Sequence, residues 1–313
     1  MTVSLRSLFD QMYQGTYDFD DFLGEGEPTA FLYSTDNITC IADERLRAYH
    51  AFISSFILVN LDLKKEVVFS YRKNLNIADA VREHVTSKYF YQTDLRNFFS
   101  SIDSSLILKI FLENIKNMCF ADSGTYLERI VELVTADGKL PPGFSTSPMI
   151  SNAILFEFDE ILYEYCDASN LIYTRYSDDI IISGKNKENI LKAAQKIKYF
   201  LNEIYDGKFS INEEKSKFTQ VGRKIKLLGM VVLPNGMLSI DIKLKKKIET
   251  LIHYYTTDSF RFLSMVDDDL KKGMQTISGY LSYANMVDEN YINKLRKKYG
   301  STIVDTFLHM KAP

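Results

Sequence analysis

The sequence predicts an α+β chain, and three patterns carry that prediction. Two apolar strands meet at a polar turn in "YTRYSDDIIIS", residues 173–183. Apolar residues at Ile190, Ala194, Ile197, Leu201 and Ile204 recur at the spacing of one helix face. From Ser239 onward every segment reads as helix. The order is a helical N-terminal part, a mixed α+β middle and a helical C-terminal part.

The first sixty residues predict a helix over 3–14, an irregular acidic segment with Gly24, Gly26 and Pro28, and a short strand near "AFLYST". "DERLRAYHAFISSFILVNL" carries apolar positions at helical spacing, and "NIADAVREHV" (76–85) reads as another helix. "KYFYQTDLRNFF" (88–99) is aromatic-rich and predicts a strand that ends near Asp94. Helices fill 104–135, the Gly/Pro-punctuated "ADGKLPPGFSTSP" is a loop, and a helix runs from Ser147 to Tyr165. The hairpin around Asp178 and Asp179 follows, then the amphipathic helix 187–205. "KIKLLGMVVL" and "MLSI" read as two strands joined by Pro234-Asn235-Gly236, and the remainder as three or four short helices.

Charge and composition narrow the class. Of 313 residues, 38 are Lys or Arg and 41 Asp or Glu, so the net charge of −3 does not by itself advertise a nucleic-acid binder. Its distribution is uneven. Residues 1–60 hold three basic against nine acidic side chains, whereas residues 200–313 hold 18 against 13, with "KLKKK" at 243–247 and "KLRKK" at 294–298. Such runs are solvated helix faces or a phosphate-tracking surface, and the choice needs a second observation. Cys40, Cys119 and Cys166 stand far apart without metal-binding spacing, which fits a reducing cytoplasm. No segment reaches the roughly 18 apolar residues a membrane span needs, and no signal peptide opens the chain. The expectation is a cytoplasmic protein with no membrane partner.

The two adjacent aspartates are the feature to explain. Neighbouring carboxylates repel and are costly in a core, so a strand turn must lift Asp178 and Asp179 to the surface. The order strand, helices, hairpin lets a small sheet bring Asp94 beside them. Clustered carboxylates call for a cation, and Mg²⁺ suits hard oxygen ligands supplemented by substrate phosphates. Two such ions about 3.5–4 Å apart serve phosphoryl transfer. The residues alone point to metal-dependent nucleotide chemistry or to a plain solvated hairpin tip.

The flanking motifs resemble those of reverse transcriptases. "YSDD" in its hydrophobic hairpin is similar to the Tyr-x-Asp-Asp motif, and "DLRNFFSSI" (94–102) to the first catalytic motif. "LPPGFSTSPMISN" (140–152) resembles the loop and helix that support the incoming nucleotide, "INEEKSKF" (211–218) the segment with a lysine near the pyrophosphate, and "KLLGMVV" (226–232) the primer-grip hairpin. Within that superfamily the likeness is to the bacterial retron type, extended by "ISGYLSYANMVDENYINKLRKKYG" (277–300) and "YRKNLNIADAVREH" (71–84). The chain departs from the pattern at Pro142, where a Gln is usual, and at Leu227-Leu228-Gly229 in place of Val-Thr-Gly. It keeps only His84 of an Asn-Ala-x-x-His stretch and lacks the fingers Arg-x-Ile-x-x-Pro segment.

The resemblance implies a right-hand polymerase fold. Residues 1–90 would form the N-terminal and fingers region, 91–238 the palm (an antiparallel sheet with helices) and 239–313 a helical, RNA-binding thumb. It implies that Asp94, Asp178, Asp179 and the Leu95 carbonyl hold two Mg²⁺ ions. It makes Phe99 a steric gate against 2′-hydroxyls, sets Tyr176 at the primer end, and uses Gly143 for close approach to the nucleotide. Lys215 is either the proton donor to departing pyrophosphate or a surface lysine. Arg72 and Lys73 stand where phosphate contacts are expected, and His84 packs or caps locally. Lys243, Lys245, Lys246, Lys247, Lys294, Arg296, Lys297 and Lys298 would track a duplex backbone.

The implied activity is an RNA-directed DNA polymerase that uses dNTPs to copy part of a cognate structured noncoding RNA into short RNA-linked single-stranded DNA (msDNA). Its setting would be the bacterial cytoplasm, in antiphage defence with a separate effector protein, while a host RNase H removes the copied RNA. The alternatives are another defence-associated or group II intron-like reverse transcriptase, and an RNA- and effector-binding scaffold with secondary polymerase activity.

Overall fold

The computed structural model describes residues 3–24, 30–34, 38–118, 120, 122, 124–267 and 269–310. Gly26, Pro28 and Cys119 lie outside the described residues. In chain order the elements are α1 (Leu5–Tyr13), α2 (Phe19–Leu23), β1 (Ala30–Ser34), β2 (Ile38–Ala42), α3 (Glu44–Phe56), α4 (Ile77–Arg82), β3 (Tyr89–Asp94), α5 (Phe98–Ser101), α6 (Ser104–Glu113) and α7 (Leu127–Val134). Next come α8 (Ser147–Ile154), α9 (Phe156–Ala168), β4 (Leu171–Tyr176), β5 (Asp179–Gly184), α10 (Lys187–Tyr205), β6 (Lys217–Gln220), β7 (Ile225–Leu227), β8 (Met230–Val232) and β9 (Leu238–Ser239). The chain closes with α11 (Ile242–Thr257), α12 (Ser259–Ser264), α13 (Leu270–Val287), α14 (Glu289–Tyr299) and α15 (Ser301–Leu308).

The chain divides into two units, one of residues 1–76 and 91–217, the other of residues 77–90 and 218–313. In the first, β4 and β5 pair antiparallel from Leu171↔Gly184 to Tyr176↔Asp179, and β3 lies beside β5. The apolar runs that predict these strands become burial: Ile180, Ile181 and Ile182 are all inside, with Tyr173. Helices α9 and α10 supply Phe158, Leu162, Ile190, Ile197 and Leu201 to the same core. At roughly 1.5–3 kcal/mol for each fully buried large apolar side chain, this layer is what keeps the hairpin rigid. A separate aromatic cluster joins α1, α2 and α3, with Phe9 within 5.0–5.4 Å of Phe19, Phe22 and Phe52.

The second unit holds α4, the three-stranded sheet β7-β8-β9 and the five C-terminal helices, packed around Ile248, Leu251, Ile277, Leu281, Ile292 and Val304. Across α13, Gly273 makes room for Phe262 and Val266, which a Cβ would meet at 2.8 Å. Among the described residues no helix is long and apolar enough to cross a membrane.

Several local expectations change. The acidic segment forms the short helix α2, because the Asp18 side chain accepts from the Asp20 amide and caps it. "KIKLLGMVVL" is not one strand. Leu228 (φ +46°) and Gly229 (φ +86°) fold it into the β7–β8 hairpin, the positive-φ pair that two-residue hairpin turns favour. Strands β2 and β6 were not expected, and the helix from Ser147 breaks at Leu155 (φ −92°, ψ 11°). The buried stripe of α10 runs through Ala193 and Tyr205 rather than Ala194 and Ile204. The C-terminal helices number five among the described residues, and α11 and α13, of 16 and 18 residues, are not short.

Candidate active site

One backbone hydrogen bond ties the Asp94 strand to the Asp178 turn, and two more bring the Lys215 segment alongside. The Leu95 amide donates to the Asp178 carbonyl (3.2 Å), the Asn212 amide to the Asp94 carbonyl (2.8 Å) and the Arg96 amide to the Ser210 carbonyl (2.8 Å). Asp94 therefore ends β3 at the β4–β5 turn, with the "INEEKSKF" segment along its other side. The Lys215 ammonium reaches Asp94 Oδ2 at 2.8 Å. Asp94 Oδ1 is buried and has no hydrogen-bond partner.

The electrostatics follow from this crowding. Burial pushes the Asp179 carboxyl up to about 6, helped by the charges of Asp178 and Asp94 and opposed by a bond from the Gln92 side chain. Burial and the Asp94 charge likewise hold Asp178 above its ordinary value. Lys215 is raised, chiefly by its hydrogen bond to Asp94. Asp178 and Asp179 share one surface with Asp94, and burial with like charge favours the neutral form of both until a cation arrives.

The donor set is all hard oxygen, and one acceptor is both desolvated and unpartnered, which fits a hard divalent cation. Among the described residues no group of three or more His, Cys, Asp or Glu side chains closes around a cation position by itself. An open carboxylate set completed by water and substrate phosphate is the arrangement that Mg²⁺ commonly accepts.

The remaining predicted residues take distinct places. Tyr176 is half-buried, and burial raises its phenol, with a further push from Tyr71. Phe99 is half-buried in α5, edge-on to Phe98 at 5.5 Å. Gly143 is exposed with φ +105°, a conformation that favours glycine. Arg72 spends its guanidinium on the Lys65 and Val68 carbonyls (2.5 and 2.7 Å), so it clamps its own loop, while Lys73 is exposed. Among the described residues no ion pair joins Arg72 or Lys73 to the three carboxylates. His84 is fully buried, which lowers its imidazole to about 3.

A polar layer beneath the turn was missed. Ser177 has φ +57°, whereas Asp178 does not share a positive φ, the φ pattern of a type II′ turn that prefers glycine first. The Ser177 amide donates to Ser70 Oγ (2.8 Å) and its carbonyl accepts from Arg175 Nη1 (2.9 Å). Arg175 also holds Asp159 through Nε and Nη2 (2.8 and 2.5 Å) and both oxygens of Asn152 at 3.1 Å. A charged residue in the apolar strand "LIYTRYS", opposite an aspartate on an otherwise buried helix face, was the available signal.

In the second unit the eight basic candidates separate into two groups. Lys245 is tied to Asp288 (3.2 Å) and Ser239 (2.7 Å), Arg296 to Asp305 (2.9 Å) and Lys298 to Glu249 (2.5 Å). Lys243, Lys246, Lys247, Lys294 and Lys297 are exposed, and Lys247 stands 5.0 Å over the Tyr280 ring.

Residues 38–232 match the family model for reverse transcriptase (RNA-dependent DNA polymerase). The chain is 25% identical over 246 residues to the retron Ec83 reverse transcriptase of Escherichia coli, covering 75% of this chain and 74% of that protein. It is 29% identical over 246 residues to the retron Ec73 reverse transcriptase of the same organism, with the same coverage. Among solved structures, a Candida albicans telomerase with a fragment of telomeric RNA matches at 12% identity and a TM-score of 0.44, over 86% of this chain and 58% of that one.

Proposed function

Because the chain belongs to the reverse transcriptase family, we propose that it copies part of a cognate structured noncoding RNA into a short DNA that stays joined to that RNA. Similarity to the retron reverse transcriptases of Escherichia coli supports this reading. A role in antiphage defence beside a separate effector protein, with a host RNase H, belongs to the same proposal. The single observation that carries the chemistry is the meeting of Asp94, Asp178 and Asp179 beside Lys215, with one Asp94 oxygen buried and unpartnered.

Asp94, Asp178 and Asp179, with the Leu95 carbonyl, would hold the metal. Two Mg²⁺ ions bound there would supply the charge that favours an ionised primer hydroxyl and a departing pyrophosphate. The protein's own share is positioning. The Leu95–Asp178 backbone bond fixes the spacing of two ligands from different strands. Tyr176 borders the primer end. Phe99 fills the space a 2′-hydroxyl would need, which selects dNTPs. Gly143, lacking a Cβ, lets the nucleotide approach the loop backbone. Lys215 can release Asp94 and deliver its proton to pyrophosphate. Lys243, Lys246, Lys247, Lys294 and Lys297 are placed to follow the phosphates of an RNA stem or RNA–DNA hybrid.

The test is the nucleic acid that co-purifies with the protein from its native locus, resolved on denaturing gels with and without RNase or DNase. A discrete DNA band that shortens with RNase and disappears in the Asp178→Asn, Asp179→Asn double variant is expected. Bound RNA without DNA in either sample would refute copying and leave an RNA-binding scaffold.

A further inference from the structure

The buried layer beneath the carboxylates is unusually costly, and of its members only Asn152 lies in a segment whose resemblance implies nucleotide support. Arg175, Asp159, Ser70 and Ser177 are each at most 8% exposed, and Asn152 is 4% exposed. A buried ion pair is weak evidence for stability, because apolar side chains of similar volume serve a core as well or better. Its geometry here serves something else. One guanidinium joins the α9 carboxylate of Asp159, the α8 amide of Asn152 and the Ser177 carbonyl, three points on three segments. Ser70 adds a fourth point, since its Oγ accepts from the Ser177 amide and donates to Asn152 Oδ1 (3.1 Å). The next residue, Tyr71, has φ +56° and donates its phenol proton to Ser177 Oγ at 3.3 Å. Ser177 is thus gripped at amide, carbonyl and hydroxyl in a conformation that costs a non-glycine residue about 1–3 kcal/mol.

We propose that Arg175, Asp159, Asn152 and Ser70 are positioning residues that lock the strained Ser177 turn and so set where the Asp178 carboxylate stands against Asp94. This inference rests on the polymerase reading of the site. The one other residue between β4 and β5 follows from it: with Ser177 held at both backbone groups, the peptide leading into Asp178 cannot rotate, and the Asp178 carbonyl stays available to the Leu95 amide. Relaxing the grip would let the turn adopt an unstrained conformation and move one metal ligand relative to the other, leaving substrate binding elsewhere untouched.

Two variants test it. Arg175→Lys keeps the buried charge opposite Asp159 but cannot span Asp159, Asn152 and the Ser177 carbonyl together. Ser70→Ala removes a single oxygen. In single-nucleotide extension on a primed RNA template, each should lower the rate at saturating dNTP by about tenfold or more. Each should raise the Mg²⁺ concentration needed for half-maximal rate, while KM for dNTP and affinity for the RNA stay near wild type. A structural role alone would lower the melting temperature and leave the Mg²⁺ dependence of the folded fraction unchanged. Wild-type Mg²⁺ dependence in folded Ser70→Ala overturns the proposal, whether or not Arg175→Lys folds. The parent reading is separated by Asp178→Asn: if that variant still extends primers, the site assignment fails; if it is dead while Ser70→Ala is normal, only the positioning role fails.

Discussion

The Lys215 ammonium sits 2.8 Å from Asp94 Oδ2, so a side chain from the segment after α10 supplies positive charge to the carboxylate cluster. This one contact makes Lys215 both a competitor of the metal and a candidate proton donor. Lys215→Ala should therefore tighten binding of Mn²⁺ alone by about two- to fivefold, the scale of an exposed ion pair. The same change should slow nucleotide incorporation by about tenfold to a hundredfold. Electron paramagnetic resonance titration and rapid-quench extension read the two effects separately, and weaker Mn²⁺ binding would contradict the competitor role.

The crowded carboxylates predict a pH dependence. The Asp179 carboxyl is raised to about 6 in the folded protein against 3.8 ordinarily, so the folded state binds more protons between those values. Stability of the metal-free protein should fall as pH rises through that window, and Asp179→Asn should raise its melting temperature at pH 7. Metal binding must expel the proton, so the half-saturating Mg²⁺ concentration should climb as pH drops below about 6. A flat Mg²⁺ dependence between pH 5 and pH 8 would remove the argument.

His84 gives the opposite sign. Burial lowers its imidazole to about 3, so between 6.5 and 3 the unfolded chain takes up a proton that the folded chain refuses. This contribution is complete above pH 6.5 and is lost on acidification, reaching up to about 4 kcal/mol. Urea midpoints measured from pH 7 to pH 4 should decline, and the decline should be shallower in His84→Gln.

Phe99 is half-buried against Phe98, and the proposed gate against 2′-hydroxyls rests on the part of its ring that stays exposed. Phe99→Val should raise ribonucleotide incorporation relative to deoxyribonucleotide by at least about tenfold. An unchanged ratio in competitive extension assays would make Phe99 a core residue only.

The basic helices separate into two behaviours. Replacing Lys243, Lys246 and Lys247 together by Ala should flatten the slope of log affinity for RNA against log salt by about 2 to 3. Lys245→Ala, which breaks the contacts to Asp288 and Ser239, should leave that slope alone and cost about 1 kcal/mol of stability. Binding assays across a salt series with urea melts distinguish them.

The strands and helices that position the carboxylates were readable from their apolar pattern: β4 and β5 are apolar runs buried along most of their length, and α10 carries a periodic apolar stripe. The grip on Ser177 was not readable. It depends on Asp159 and Arg175, 16 residues apart, finding one another, and a single charge within an apolar run looks the same whether it is buried or turned outward. The split at Leu228-Gly229, implied by the likeness of "KLLGMVV" to the primer-grip hairpin, was absent from the strand pattern for a related reason. Gly229 was visible, but a two-residue turn needs a second positive φ, and leucine gives no warning of one. Nor could the spacing of the basic runs show that Lys245, Arg296 and Lys298 pair with Asp288, Asp305 and Glu249.

Strand β4 forms one edge of its sheet, and the segment Val67–Phe69 lies along the end nearest the aspartates. The Arg175 amide donates to the Val67 carbonyl (2.7 Å), and the Phe69 amide donates to the Arg175 carbonyl (3.0 Å). An open edge is a template on which a second chain can add a strand, and crowding many copies onto nucleic acid would invite it. Here the backbone groups that would start such stitching are already taken, so the same short segment that flanks the chemistry also guards against self-association at that end of the sheet.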